Sequence, residues 1–177
     1  MADKLYAYSI DFKGLEVGKH IFEFLLDDAF FAEYPEGEIS EGHIETQIML
    51  HKQNNLMELT CNMSGTVQVE CDRCLERFAL PIEYNGTLFV KTGNPQTNSE
   101  PDVIFISEHE HRLNLAQYLY ENTCLSLPIR RYHGLNGTNA NDCDADMLER
   151  MNHDDQNPAE PTTEDPRWAK LKELKNK

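Results

Sequence analysis

The sequence predicts an α+β domain. An antiparallel sheet, curled or barrel-like, packs on one main helix and is followed by a C-terminal acidic linker and a short terminal helix. Three observations lead there. Apolar and polar residues alternate through 42–91 in three long runs. One capped helical pattern follows over 114–127. Beyond residue 133 the composition shifts to Asn, Asp, Gly, Thr and Pro until a basic helical pattern begins at Asp165.

Taken in order, 5–10 (LYAYSI) is a short strand, and 11–19 is a polar turn region with two glycines. The stretch 20–26 (HIFEFLL) is a second strand, with Ile21, Glu23 and Leu25 on one face and Phe22, Phe24 and Leu26 on the other. Asp27 or Asp28 caps a short helix that Pro35 ends. In 42–51, Ile44, Thr46, Ile48 and Leu50 share a face. The run 53–55 (QNN) supplies a turn. The strand over 56–70 carries Gly65, expected as a bulge. The strand over 78–91 keeps Phe78, Leu80, Ile82 and Tyr84 in phase. A polar loop, 92–101, precedes a short apolar strand, 102–107.

Asn114, with Gln117 three residues on, starts the main helix. Its apolar stripe is expected to hold Leu115, Tyr118, Leu119 and Leu125, with Asn122 as one polar member, and Pro128 stops it. Residues 1–133 are thus expected to form the core domain. Residues 134–164 read as an acidic, largely disordered linker with room for one helical turn around 145–151, and 165–177 as a short basic helix. In that last piece Asp165 caps, Pro166 suits the first helical position, and Trp168, Leu171 and Leu174 share a face.

Charge restricts function. The chain carries a formal −15. Residues 1–140 hold 21 acids and 10 bases, 141–165 hold nine acids and one base, and 166–177 hold five bases and one acid. Such a field repels phosphate backbones and disfavours broad binding to bare nucleic acid. No apolar run approaches the length of a membrane span. The first residues lack a basic start followed by an apolar run, and the five cysteines have no framework spacing, so the expectation is a reduced, cytoplasmic protein.

The chemistry-bearing motif is CDRCLERF at 71–78. Structural zinc takes four ligands, usually two Cys pairs, and only one C-x-x-C is present. Cys61, Cys124 and Cys143 each stand alone, so Cys71 and Cys74 make an incomplete metal site that needs Cys61 or Cys143 and a histidine from elsewhere. Strand phase favours another reading. Cys71 and Cys74 face each other across a two-residue Asp72-Arg73 hairpin and close the end of the core as small apolar groups. Asp-Arg suits that turn poorly, since neither residue takes positive φ as glycine does. A redox pair is the third reading, without the helix N-terminus that would lower a thiol pKa. The expectation is therefore no cofactor, with zinc at Cys71 and Cys74 as the alternative.

His109 and His111 in EHEHR read as a solvated loop, and His133 as a single surface or capping residue. No nucleophile elbow, H-E-x-x-H or phosphate-cradling glycine loop is present, which predicts a non-enzyme. Arg73, Arg77, Arg130 and Arg131 are candidate anion-binding residues, against the plainer reading that they neutralise nearby Asp72, Glu76 and Glu70.

Three segments in one order resemble the YceD family, the large ribosomal RNA subunit accumulation proteins of bacteria and plastids. They are VQVECDRCLERF (67–78), NLAQYLYENTCLSLPI (114–129) and DPRWAKLKEL (165–174). The resemblance implies a non-enzymatic role in large-subunit assembly. It also implies further cysteines after Pro128, where only Cys143 stands, so half of any zinc site is expected to be lost and the acidic segment relaxed into a linker. The partner expected is a ribosomal protein or a pre-ribosomal particle, with rRNA contact inside the particle. The acidic body suits a basic protein better than naked RNA. Arg167 and Trp168 are the expected contact residues of the terminal helix. The competing readings are a zinc- or thiol-dependent structural or redox protein, and a generic acidic interaction module.

Overall fold

A computed structural model describes residues 4–54, 56–93 and 102–156. A 3-10 turn, Lys4–Tyr8, leads into β1 (Ser9–Ile10) and β2 (Gly18–Leu26). Helix α1 (Asp28–Phe31) precedes the three long strands β3 (Gly42–Lys52), β4 (Leu56–Glu70) and β5 (Arg77–Thr92). Strands β6 (Val103–Ile106) and β7 (Leu113–Asn114) lead to α2 (Ala116–Leu125) and α3 (Ala145–Gln156).

Five strands form one sheet in the order β2-β3-β4-β5-β6. Strands β2 to β5 are antiparallel neighbours, as the alternation predicts. Strand β6 joins β5 in parallel, so the sheet is mixed rather than wholly antiparallel. The sheet does not close into a barrel. Its two end strands pair on one side only, and β6 is four residues long. Strands β1 and β7 pair separately as a two-residue ribbon.

The predicted faces are present. Ile44, Ile48 and Leu50 of β3 point the same way as Leu59, Cys61 and Val67 of β4 and Leu80, Leu88 and Val90 of β5, and all are buried. Phe30 and Phe31 of α1 cover one end of this layer, held by the Asp27 side chain, which accepts from the Phe30 N–H at 3.1 Å. Helix α2 covers it with Leu119 and Thr123, preceded by the buried Leu115. The Asn114 side chain accepts from the Ala116 N–H at 2.8 Å, but the expected Asn114–Gln117 cap does not form: the cap position falls on Leu115, and the Gln117 side chain donates to Glu121. The expected stripe shifts by its last member: Leu125 is exposed, and Thr123 is buried, its hydroxyl bonded to the Leu119 carbonyl. Tyr118 joins α2 to the sheet through a 3.0 Å contact with the Tyr84 hydroxyl.

Gly65 forms no bulge. The β3–β4 and β4–β5 registers run through it without a break, opposite Ile44 and Ile82. The glycine is needed because β3 crosses so closely that a Cβ would overlap the His43 carbonyl oxygen.

Candidate metal centre

Strand β4 ends at Glu70 and β5 starts at Arg77, so six residues, 71–76, make the tip of the hairpin. The expected two-residue Asp72-Arg73 turn does not form. The left-handed conformation that neither Asp72 nor Arg73 adopts falls instead on Leu75, at φ 63°. The Leu75 N–H then bonds the Cys71 carbonyl at 2.9 Å, and the Cys71 N–H bonds the Glu76 carbonyl at 2.9 Å. This tight knuckle turns both thiols inward, leaving Cys71 0% and Cys74 4% exposed.

The segment after α2 returns to the knuckle. The Asp72 N–H donates to the Arg131 carbonyl, and the Arg131 N–H donates to the Asp72 carboxylate, each at 2.6 Å. His133 then lies against the Phe78 ring, centroids 4.5 Å apart, and is buried. The Asn- and Gly-rich run beyond it is a succession of turns. The Thr138 hydroxyl accepts from the Gly134 N–H and donates to the Leu135 carbonyl. Asn136 and Gly137 take positive φ, and the Asn136 side chain reaches the Pro81 carbonyl of β5. Asn139 caps a 3-10 turn, Ala140–Asp142, which delivers Cys143 to the core at 8% exposure. Asp144 then caps α3 through the Met147 N–H, and Met147 and Leu148 pack against the core. Residues 134–156, expected as the first part of the linker, are therefore folded. The rest of that stretch and the terminal helix, with Arg167 and Trp168, lie outside the described residues.

Four side chains meet as a result: Cys71, Cys74, His133 and Cys143, all buried, with their ligand atoms within 4.8 Å of one another. The Cys71 and Cys143 sulfurs are 3.8 Å apart. His133 Nδ1 is 3.5 Å from the Cys74 sulfur and 3.4 Å from that of Cys143. Burial opposes the Cys71 thiolate, but the N–H groups of Cys74, Arg73 and His133 and the Cys74 thiol outweigh it, and the pKa falls to about 6. Burial, then the Cys71 and Cys74 sulfurs, push Cys143 up to about 11. Of the residues a full ligand set would need beyond Cys71 and Cys74, the fold brings in Cys143 rather than Cys61, and the histidine is His133, read in the sequence as a surface or capping residue but buried here.

The arginines are held mostly by the chain's own groups. Arg77 pairs with Glu41 at 2.9 Å, and Arg131 pairs with Glu38. Arg73 lies over the Tyr132 ring at 4.2 Å, and Arg130 is exposed. His109 and His111 are exposed, as expected of a solvated loop.

The fold and site define a class: a small mixed-sheet domain whose longest hairpin carries a Cys-x-x-Cys knuckle, completed from beyond the main helix. Within that class, the family described as large ribosomal RNA subunit accumulation protein YceD matches residues 59–175, and the chain belongs to that family. The match takes in β4 with its knuckle, β5, α2 and the loop that carries His133 and Cys143. Comparisons with curated proteins and with solved structures gave no match. No helix among the described residues is long and apolar enough to cross a membrane.

Proposed function

We propose that this chain is a non-enzymatic factor in the accumulation of large-subunit ribosomal RNA, acting by binding a basic ribosomal protein or the assembling particle that contains it. Family membership supplies the pathway. One structural observation supports the choice of partner: the solvent face of the sheet carries Glu23, Glu45 and Glu83 on two adjacent rows. Glu23, Gln47, Asn62 and Asn85 stand side by side across β2 to β5, and Leu25, Glu45, Ser64 and Glu83 form the next row. Neither row holds a Lys or Arg. In a chain of net charge −15, this surface repels phosphate and attracts a cationic protein extension. Contact with rRNA inside the particle falls to the basic terminal residues, with Arg167 and Trp168.

Affinity purification of the full chain from a bacterial lysate, with and without ribonuclease, tests this reading. The expected result is nuclease-resistant capture of a basic large-subunit protein, weakened by added salt and by Glu23→Gln, Glu45→Gln and Glu83→Gln together. Capture that disappears with ribonuclease would overturn direct protein binding. Capture of no ribosomal component would favour an interaction module outside ribosome assembly.

A further inference from the structure

We propose that Cys71, Cys74, His133 and Cys143 bind one structural Zn²⁺ through three thiolate sulfurs and His133 Nδ1, and that the ion clamps the segment after α2 onto the tip of the β4–β5 hairpin. Three edges of the cluster match those of a tetrahedron around one ion, and all four ligand atoms lie within 4.8 Å of one another. Zinc bonds of about 2.3 Å to sulfur and about 2.0 Å to nitrogen place two sulfurs about 3.8 Å apart, and a sulfur and a nitrogen about 3.5 Å apart. The edges here are 3.8 Å for Cys71–Cys143, 3.5 Å for Cys74–His133 and 3.4 Å for Cys143–His133. A disulfide needs its sulfurs at about 2.05 Å, so 3.8 Å excludes that bond between Cys71 and Cys143 in this arrangement.

The donor set selects the metal. Three soft sulfurs and one imidazole suit zinc, whereas calcium and magnesium take oxygen, and four-cysteine iron–sulfur clusters lack their fourth thiolate here. Zinc takes all three cysteines as thiolates, any remaining thiol protons passing to solvent, and three thiolates on Zn²⁺ leave one net negative charge. The knuckle that holds Cys71 and Cys74 together is closed by the Leu75 N–H on the Cys71 carbonyl and the Cys71 N–H on the Glu76 carbonyl, with Leu75 at the uncommon φ of 63°. A simple apolar plug would require no buried imidazole with its Nδ1 within 3.5 Å of two sulfurs. A redox pair requires access for a partner thiol, and Cys71 and Cys74 have almost none. The inference is independent of the ribosomal reading.

The test is metal analysis of the full chain, purified under reducing conditions without chelator. About one zinc per chain is expected. It should survive dialysis and leave on titration with an organomercurial. Replacing zinc with Co²⁺ should give the intense visible bands of a tetrahedral site with thiolate-to-cobalt charge transfer. Cys143→Ser and His133→Ala should abolish stoichiometric zinc, while Cys124→Ser should retain it. If those variants fail to fold, X-ray absorption at the zinc edge of the unaltered chain decides, with three sulfurs and one nitrogen expected. A folded, metal-free chain with five titratable thiols would overturn the proposal. So would iron at the site, or a Cys143→Ser chain that keeps its zinc.

Discussion

Asp72 and Arg131, 59 positions apart, hold each other twice: the Asp72 N–H meets the Arg131 carbonyl, and the Arg131 N–H meets the Asp72 carboxylate, both at 2.6 Å. The pair fixes the chain two residues before His133 against the knuckle. Only the second bond depends on the side chain. Asp72→Ala should therefore lower unfolding free energy by about 1 kcal/mol, the net value of a charge-assisted bond discounted for its exposure. Asp72→Asn keeps a neutral acceptor and should lose about half as much. Urea denaturation at constant metal content measures both. Equal midpoints for Asp72→Ala and the unaltered chain would show that the backbone bond suffices.

Leu75 permits a prediction of opposite sign. Its φ of 63° costs an L-residue about 1–2 kcal/mol. Glycine takes that conformation freely but loses about 0.4–1 kcal/mol through its looser unfolded chain. The Leu75 side chain is 65% exposed, so little burial is at stake. Leu75→Gly should leave stability unchanged or raise it by up to about 1 kcal/mol, while Leu75→Val should lower it, since β-branched residues tolerate positive φ worst. Clear destabilisation by glycine would assign the leucine side chain a contact of its own.

The sheet was legible because burial on one face imposes a period of two. Ile44, Ile48 and Leu50, or Leu80 and Ile82, announce both the strand and its inner side. The partner and direction of β6 were not legible, because alternation says nothing about which neighbour a strand pairs with. The site was half legible. Cys71 and Cys74 are adjacent in sequence, whereas His133 and Cys143 arrive through a loop whose composition matches that of a disordered linker. The difference lies in use. Thr138 and Asn139 each close a turn, Asn136 takes positive φ and bonds β5, and Gly134 and Gly137 supply the remaining positive φ values. A histidine and a cysteine bracketing such a run were the available signal. The sequence names the candidates to join Cys71 and Cys74, Cys61 or Cys143 and a histidine, but not which of them the loop carries to the knuckle.

Gly65 is held by space rather than by φ. A Cβ there would overlap the His43 carbonyl oxygen and come within 2.6 Å of the Ile44 Cα, both parts of a backbone that the sheet keeps in place. Gly65→Ala should destabilise by about 1–3 kcal/mol, the usual cost of overpacking. Gly14, where a Cβ meets nothing within 4 Å, is the control, and Gly14→Ala should change stability by less than about 0.5 kcal/mol. Equal effects at the two positions would place the strand separation at Gly65 wider than it is here.

Cys61 predicts how stability depends on alkaline pH. It is fully buried within β4, and burial pushes its thiol from 9.0 up to about 12. Below pH 9 the thiol is protonated in both the folded and the unfolded chain, and Cys61 adds no pH dependence. Between about pH 9 and about pH 12 the unfolded chain loses the proton and the folded chain keeps it, so stability falls as pH rises. One such group contributes at most about 1.4 kcal/mol per pH unit. Cys61→Ala removes this group, and with it the lesser repulsion by which Cys61 helps to raise the Tyr118 hydroxyl, a change that acts in the same direction. The variant should be less stable at neutral pH because of the cavity, and should lose stability less steeply than the unaltered chain above pH 9. Urea midpoints measured in steps from neutral pH upward check this. Parallel curves for the two proteins would mean that Cys61 ionises within the folded core as readily as in water.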